Sequence, residues 1–558
     1  MTTIIEHFFI FSQISTICLF LSLSGFLLKK LVLLDDDIKN FEENGIFGFI
    51  FIGFISLTVN FFYPLNFLIN NLLFLVITTA AFKLNFFNQN KIKLIKKIFY
   101  VSFFCYILFI YSNVNTPDAL LYHLPYSKII NDHKIVIGLS NIHFRFGHTS
   151  IFQYISSFFN NSLFNENGIL IPIGLLTSFF FFYSFRLFRN EFKIDITRLK
   201  SYFTFLILIF SLYSFNRYSG YGNDAQVHIY YFLAVLYLFN FFIIKKSLLT
   251  FKKLSLIFLF TFLIKPFYLI SIIIPCIIFV LIRKDFIIIR SRFFIFSSFL
   301  FLLWIIKNLL ITGCLIYPVH NTCVKSLIWY DKNTKIVSTS GEAWSKAWPQ
   351  NLNKNLNQDE FNKNFNWVSA WAKTHLNVII EKLLPVIFFI IINILFFYFT
   401  RCLKKNYQNH KNNFYLLNLL MSLFFVILWF LKFPIYRYGL SFIYTLILFM
   451  SYFIFIQYID VIKLKRYYNF FVFIIILCTS LIFVKNINRI SNNFTQSISP
   501  SMNDPLDNGK SVKIFNRDKK FTYYNKDSAC GYSASPCSHI KPDLGKLIFL
   551  GYSIYYNY

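Results

Sequence analysis

The stretch FFIFSSFLFLLWIIKNLLI, residues 293–311, decides the fold. Lys307 carries the only charge among these 19 residues, and a helix of about 20 apolar residues is long enough to cross a bilayer. The basic cluster 283–292 stands directly before it, and Lys and Arg beside an apolar helix mark its cytoplasmic end. The stretch therefore predicts a transmembrane helix that runs outward from residue 293.

Comparable stretches recur along the chain. Of the 558 residues, 56% are hydrophobic and 14% are charged, with a mean hydropathy of +0.56, whereas roughly 25% of the residues in a soluble domain are charged. A soluble protein of this length could not bury so much apolar surface. The first apolar segment lacks a basic start and a small-residue cleavage site, so we expect a retained helix there. The whole predicts an all-α fold, a polytopic transmembrane helical bundle.

The formal net charge of +30 comes from basic clusters between the apolar stretches. This arrangement is typical of cytoplasmic loops, so we expect the lipid bilayer, and not nucleic acid, as the partner. If every cluster lies on the cytoplasmic side, the stretches between them pair into about 14 spans with both termini outside. The clusters are residues 29–30, 91–97, 186–200, 245–253, 283–292, 401–411 and 463–466.

One pair of predicted spans is broken. Residues 254–264 and 267–282 are each too short to cross a bilayer untilted, and they meet at Lys265-Pro266. We expect a broken or re-entrant pair, which is tolerated where the backbone is buried in protein or lines a water-filled cavity. The other predicted spans are an N-terminal segment and residues 46–62, 67–82, 98–113, 168–185, 201–214, 226–243, 293–311, 377–400, 414–431, 438–458 and 469–485.

This topology leaves two large loops and a small C-terminal segment on the extracytoplasmic side. The bundle covers residues 1–485 with outer loops 114–166 and 312–376, and the C-terminal segment is 486–558. The second loop and the C-terminal segment each contain a close pair of cysteines, which suits disulfides in an oxidising compartment. The pairs are Cys314 with Cys323 and Cys530 with Cys537.

The first outer loop contains TPDALLYHLP, residues 116–125. Its Thr-Pro start predicts an N-cap followed by a first-turn proline, which places Asp118 in the first turn of a helix. An acidic residue there either complements the helix dipole or, at the mouth of a bundle, acts as a general base. Tyr122, one turn later, shares the face of Asp118, and His123 follows it.

The same loop continues with NIHFRFGHTS, residues 141–150, which supplies His143, Arg145 and His148. Arg in particular matches two phosphate oxygens at once, and ordinary interfacial anchoring is the alternative. His123 together with these two histidines offers a zinc site, although the spacing is not that of the familiar ligand pairs.

Further polar residues interrupt the apolar stretches. Arg217 and Asp224 lie in SFNRYSGYGNDAQVH, which also reads as a tight glycine turn, and Arg437 lies in LKFPIYRYG. A charge deep in a membrane helix costs about 2.5 to 3.5 kcal/mol on insertion scales, so such residues usually face a cavity and a partner. Lys265 and Lys307 fall under the same argument, with snorkelling to the interface as the alternative for Lys307.

The loop 312–376 contains five of the seven Trp. Trp344 with Trp348, and Trp367 with Trp371, have the i, i+4 spacing that places paired rings on one helical face. We expect amphipathic helices on the membrane surface, with stacking on a sugar ring as the alternative.

Several of these motifs together resemble a known family. The residues concerned are Asp118, Tyr122-His123-Leu124, Gly138-Leu139, Asn141, Arg145-Phe146-Gly147 and Ser150, with LLITGCLIYP (309–318), PIYRYG (434–439) and CGYSASPCS (530–538). They resemble a family of uncharacterised bacterial polytopic membrane proteins related to the GT-C superfamily of integral-membrane glycosyltransferases. The resemblance covers most of the chain.

The resemblance implies a GT-C-like glycosyltransferase in the bacterial inner membrane. Its donor would be a sugar on a polyprenyl phosphate, with Asp118 deprotonating the acceptor hydroxyl and inversion at the anomeric carbon. The cations that would neutralise the departing phosphate are Arg145, Arg217, Lys265 and Arg437. Superfamily members differ in their use of a divalent metal and often carry a second acidic residue, so either Asp224 takes that place or no metal is used.

Two other classes of function stay open. A transporter or flippase for a lipid-linked or anionic solute would explain the helix break at Lys265, but the two halves show no convincing internal repeat and a transporter has less need of large outer loops. A non-catalytic role beside other envelope biosynthesis proteins is the third reading. Polymerase or ligase activity on lipid-linked saccharides is a variant of the first.

Overall fold

The computed structural model describes most of the chain up to residue 458 and parts of the remainder. The described residues are 2–35, 40–88, 90–111, 117–195, 199–214, 221–243, 247–282, 290–351, 355–399 and 413–458, then short pieces between 472 and 491, and residues 513–515, 521–523, 530–532, 535–538 and 544–557.

The architecture is mostly helical, as the apolar stretches predict. The described residues form 19 α-helices. They are α1 (Thr2–Leu28), α2 (Phe41–Asn60), α3 (Phe67–Lys83), α4 (Lys91–Tyr111), α5 (Leu124–Asp132), α6 (Leu139–Ile142), α7 (Ile151–Phe158), α8 (Asn167–Asp195), α9 (Leu199–Ser214), α10 (Asp224–Ile243), α11 (Leu248–Ile264), α12 (Ile273–Ile282), α13 (Arg292–Thr312), α14 (Thr334–Ser345), α15 (Gln358–Asn362), α16 (Val368–Trp371), α17 (Asn377–Phe399), α18 (Asn413–Lys432) and α19 (Tyr436–Tyr458).

Seven helices in the described parts are long and apolar enough to cross a membrane, compared with the predicted total of about 14. Several of the other predicted spans are helical but shorter, among them α3, α9 and α18. The seven are Ile4–Leu33, Phe41–Asn60, Asn167–Glu191, Asp224–Phe242, Arg292–Thr312, Val368–Phe396 and Tyr436–Ile454. About half of the predicted span 469–485 lies outside the described residues, and the described residues in it are helical.

The predicted helix break at Lys265-Pro266 is confirmed. Lys265 has an extended backbone, with φ −146° and ψ 114°, and a 3-10 turn runs from Pro266 to Ile272 before α12 begins. The residue before a proline is disfavoured in the helical region because the ring clashes with its backbone. The chain therefore leaves α11 at Lys265, and the side chain of Lys265 becomes available at the end of the helix.

A ring of buried charges joins three helices at the opposite end of α11. Lys29 Nζ lies 3.2 Å from Asp35 Oδ2 and 2.8 Å from Glu43 Oε2, and Lys253 Nζ lies 2.7 Å and 2.8 Å from carboxylate oxygens of the same two residues. Lys29 is fully buried and Glu43 nearly so. Two cations and two carboxylates cancel, which makes the burial of four charges tolerable. The ring fixes α1, α2 and α11 against one another.

The C-terminal segment adds β-structure that the all-α prediction missed. Strands β1 (Lys513–Phe515), β2 (Phe521–Tyr523) and β3 (Cys537–Ser538) form one sheet, and β4 (Leu544–Phe549) and β5 (Tyr552–Asn557) form an antiparallel hairpin. Ile554 of the hairpin also pairs with Ile137 of the first outer loop. Both predicted disulfides, Cys314–Cys323 and Cys530–Cys537, are present.

The predicted surface helices of the Trp-rich loop are wrong in part. Helix α14 ends at Ser345 and a 3-10 turn begins at Trp348, so Trp344 and Trp348 do not share one helical face. Trp344 is 67% exposed, but Trp367 and Trp371 are buried because both rings pack against Phe430 of α18. The second Trp pair therefore fastens the loop to the bundle.

Candidate functional site

Five charged side chains form a continuous row, and three of them stand at the ends of α10, α11 and α19. Arg145 Nη1 lies 2.9 Å from Asp118 Oδ1, and Arg437 Nη1 lies 3.5 Å from Asp118 Oδ2. The same guanidinium places its Nε 3.8 Å from Asp224 Oδ2, and Lys265 Nζ donates a hydrogen bond to Asp224 Oδ1. The charged row thus runs Arg145, Asp118, Arg437, Asp224, Lys265, and it unites five residues that the sequence singled out separately.

The charged row is accessible to solvent and carries an excess of positive charge. The exposed fractions of its side chains range from 22% for Lys265 to 42% for Arg437. Ion pairs at this exposure stabilise a fold by only about 0 to 1 kcal/mol each, so stability is a weak reason for the cluster. Three cations against two carboxylates leave a net charge of +1, which favours an anionic ligand.

A π-helical turn, Ala119–His123, carries the first carboxylate. Asp118 lies in the first helical turn, as the Pro117 start predicts, and the N–H of Leu124 reaches back to the carbonyl of Ala119. The predicted N-cap Thr116 lies outside the described residues. The turn directs His123 into the protein, where Gln153 Nε2 and His123 Nδ1 are 3.2 Å apart.

His123 is a neutral side chain close to this charge. Burial lowers its pKa to about 4, against the opposing effect of Asp118 and Asp224. Because an imidazole with this pKa is uncharged at neutral pH, His123 adds a hydrogen-bonding group without adding a charge.

Tyr122 and His148 lie beside Arg145, at one end of the charged row. The guanidinium of Arg145 sits 4.9 Å from the centre of the Tyr122 ring. His148 is an exposed residue. Desolvation of its ring, and then the positive charges of Arg145 and Lys265, lower its pKa. His148 thus lies close to the cations at both ends of the charged row.

His143 is buried beside the backbone of Arg145. Its Nδ1 accepts a hydrogen bond from the backbone N–H of Arg145 at 3.2 Å, and its ring is buried against Phe144 and Phe146. His143 thus shapes the turn that presents Arg145. Arg217, the remaining predicted cation, lies outside the described residues.

Two tryptophans that the sequence did not single out as site residues position Arg437. The chain between α18 and α19 has its carbonyls held by indole N–H groups, Trp371 donating to Pro434 at 2.7 Å and Trp429 to Ile435 at 2.9 Å. Gly439 lies flat against the Trp429 ring, where a β-carbon would come within 2.3 Å of the ring. These contacts fix the backbone corner between α18 and α19, residues 433–435, from which Arg437 follows.

Tyr438 and Tyr221 complete the surroundings of Asp224. Lys265 Nζ lies 3.7 Å from the centre of the Tyr438 ring, and Arg437 donates a hydrogen bond to the Tyr438 hydroxyl at 3.2 Å. The Tyr221 hydroxyl, just before α10, is 2.8 Å from Ser127 Oγ of α5. This contact ties the helix that begins with Asp224 to the segment that follows Asp118.

Lys307 is buried next to Thr149, the residue after His148. Its ammonium group donates a hydrogen bond to Thr149 and lies 3.3 Å from the centre of the Trp304 ring. Its exposed fraction is 0%, so the snorkelling alternative is wrong for Lys307.

The described residues contain no group of three His, Cys, Asp or Glu side chains close enough to hold a metal ion. His123, His143 and His148 therefore do not form the zinc site that their presence in one loop offered. Asp118 and Asp224 both contact Arg437, so Asp224 is the acidic neighbour of Asp118 in space.

The fold and the charged row define a mostly helical protein with membrane-compatible helices and a solvent-accessible, cation-rich cluster of side chains. A family model described as "Domain of unknown function (DUF8201)" matches residues 8–444. The chain belongs to that family, and the matched region includes every residue of the charged row but not the C-terminal segment. No curated protein and no solved structure matches the chain.

Proposed function

We propose that the protein is an integral-membrane glycosyltransferase that transfers a sugar from a polyprenyl-phosphate-linked donor to an envelope glycan, lipid or protein acceptor. The observation that carries the proposal is the charged row itself. A solvent-accessible carboxylate, Asp118, lies between two guanidiniums, and a second carboxylate and an ammonium group continue the row.

The cations suit a phosphate. Arg437 contacts two carboxylates at 3.5 Å and 3.8 Å, which are long for charge-assisted hydrogen bonds of about 2.7 to 2.9 Å. A donor phosphate that binds at the charged row would accept hydrogen bonds from the guanidinium of Arg437 at a shorter distance than the two carboxylates do. Lys265 would lie on the other side of the phosphate. This places fixed positive charge where negative charge develops as the sugar–phosphate bond breaks.

The same exchange frees the base. In the structure Arg145 holds Asp118 Oδ1, while Oδ2 faces Arg437. Once the phosphate binds Arg437, Oδ2 is free to take the proton of an acceptor hydroxyl. The acceptor oxygen then bonds to the anomeric carbon from the face opposite the phosphate, and the electron pair of the broken carbon–oxygen bond leaves on the phosphate. Asp118 keeps the proton, and the configuration inverts.

The surroundings fit a lipid-borne substrate at a membrane boundary. Three residues of the charged row, Asp224, Lys265 and Arg437, stand at the ends of α10, α11 and α19, and two of these helices are long and apolar enough to cross a membrane. Disulfides in the second outer loop and in the C-terminal segment favour the extracytoplasmic side for this end of the bundle. We therefore place the reaction on the outer face of the bacterial cytoplasmic membrane, in a GT-C-like bundle of about 14 spans.

One observation favours a second candidate. Lys265 leaves a broken helix and pairs with Asp224, and interrupted helices bearing paired charges are typical of transporters. Transport of an anionic or lipid-linked solute is therefore the alternative function of the charged row.

The test is the saccharide profile of the host's envelope with Asp118→Asn at matched membrane abundance. Asp359→Asn is the control, because Asp359 is an exposed aspartate in the first turn of α15. Loss of one sugar linkage with accumulation of its lipid-linked donor in the Asp118 variant alone supports the transferase. An unchanged profile in both variants removes Asp118 from such chemistry and moves the assignment to transport or assembly.

A further inference from the structure

The turn that carries Asp118 has one carbonyl that its own helix cannot pair. In the π turn the N–H of Leu124 reaches the carbonyl of Ala119, so the carbonyl of Leu120 should receive the next N–H along the chain. That residue is Pro125, which has no N–H to donate. A buried carbonyl without a partner is costly, and Leu120 is buried.

The missing donor comes from the C-terminal segment. Gly531 donates its backbone N–H to the Leu120 carbonyl at 2.9 Å. Gly531 has φ 56°, a left-handed conformation that glycine adopts without steric cost. It lies inside the loop closed by the Cys530–Cys537 disulfide, so the disulfide limits the positions that its N–H can take.

The same loop also forms hydrogen bonds with α5, which follows the turn directly. Tyr532 donates its hydroxyl to Asn131 Oδ1 at 2.8 Å, and Ser535 Oγ donates to Asp132 Oδ2 at 2.7 Å. Tyr532 also accepts a hydrogen bond from Asn160 beyond α7. The loop therefore holds the segment 119–132 at its beginning and at its end.

We propose that the Cys530–Cys537 loop is a positioning element that fixes the Asp118-bearing turn against Arg145 and Arg437. The loop acts through the backbone of Leu120 and through α5, since its hydrogen bonds to segment 119–132 reach Leu120, Asn131 and Asp132, and no hydrogen bond among the described residues joins it to the charged row. Its effect on turnover rests on the proposed function, whereas its effect on the turn does not.

The test is hydrogen–deuterium exchange of segment 119–124 in the full-length protein in lipid nanodiscs. Cys530→Ser/Cys537→Ser is compared with Cys314→Ser/Cys323→Ser, which removes the other disulfide as a matched control. Loss of one backbone hydrogen bond should make exchange in this segment about three- to tenfold faster. We expect this in the first variant only. Equal exchange in wild type and the first variant overturns the proposal.

A second variant separates positioning from general loosening of the fold. Pro125→Ala restores an N–H within reach of the Leu120 carbonyl, so the turn no longer depends on Gly531. In the Pro125→Ala background the double serine change should have a smaller effect on exchange of segment 119–124 than in wild type, while an undiminished effect overturns the Leu120 carbonyl as the point through which the loop acts. The saccharide profile of Asp118→Asn is read independently, so failure of the transferase leaves the exchange result standing.

Discussion

Arg437 lies within 4 Å of a carboxylate oxygen of Asp118, although the two residues are 319 positions apart in the chain. The same guanidinium also contacts Asp224, so a single side chain joins the two carboxylates. Any ligand that competes for Arg437 changes the surroundings of both carboxylates at once.

Replacing Arg437 should therefore weaken ligand binding more than folding. We expect Arg437→Gln to lower the affinity for a short-chain polyprenyl phosphate by about 10- to 100-fold, the value of a charge-assisted hydrogen bond of about 1.5 to 3 kcal/mol. Its ion pairs are partly exposed, so the unfolding temperature should stay close to that of wild type.

Native mass spectrometry with added polyprenyl phosphate measures the Arg437 effect. Arg292→Gln is the control, since Arg292 is an exposed arginine at the start of α13. A large fall in the unfolding temperature with unchanged lipid binding would assign Arg437 to the fold instead of the site.

The buried ring at the other end of α11 should behave in the opposite way. Glu43→Gln leaves Lys29 and Lys253 short of one negative charge in buried surroundings, and breaking a buried ion pair on one side costs about 3 to 5 kcal/mol. Thermal unfolding in detergent should show a clear loss for Glu43→Gln and little change for the exposed Glu381→Gln. Equal unfolding temperatures for the two variants would contradict the structural role of the ring.

The pH dependence of stability should contain a contribution from His123. Its pKa is about 4 in the folded protein because of burial, against an ordinary value of 6.5, so the unfolded chain binds more protons between those two values. Stability should be unaffected above pH 6.5 and should fall as the pH drops toward 4. At 1.36 kcal/mol per pKa unit, the contribution lost reaches about 3 kcal/mol.

A comparison with His123→Gln isolates this term, since Gln does not titrate. Thermal unfolding between pH 7.5 and pH 4.5 should show a shallower loss in the variant than in wild type. Parallel curves for the two proteins would mean that His123 does not bind fewer protons in the folded state.

Trp371 should influence binding at a distance through the corner before Arg437. Trp371→Phe keeps an aromatic ring but removes the N–H that pairs with the buried carbonyl of Pro434, and an unpaired buried group costs about 1 to 3 kcal/mol. We expect weaker polyprenyl phosphate binding for Trp371→Phe and none of this effect for the exposed Trp344→Phe. Identical binding by the two variants would show that the Trp371 hydrogen bond does not position Arg437.

The sequence predicted the helices and singled out all five residues of the charged row, because both have a local signature. An apolar run long enough for a bilayer is helical wherever the structure describes it, and the break at Lys265 follows from the proline after it. Asp118, Asp224, Lys265 and Arg437 stood out because they sit at the ends of apolar runs. Helices packed side by side bring such ends together, although the sequence does not say which ends meet.

The parts that the sequence missed depend on long-range pairing. Trp367 and Trp371 have the spacing of a surface helix, but Phe430 and the Pro434 carbonyl provide buried partners that no local pattern reveals. Strand β5 of the C-terminal segment pairs with the distant segment before α6 through Ile554 and Ile137. The role of Gly531 required knowing that Pro125 leaves a carbonyl unpaired.

The grip of the Cys530–Cys537 loop on α5 has a consequence for biosynthesis. Tyr532 follows its partner Asn131 by 401 positions, and at about 5 to 20 residues per second translation alone separates them by roughly 20 to 80 s. During that interval the Asp118 turn exists without the donor for its Leu120 carbonyl. If the loop positions the turn as proposed, the surroundings of Asp118 are complete only after residues 530–537 have been made and the Cys530–Cys537 disulfide has formed.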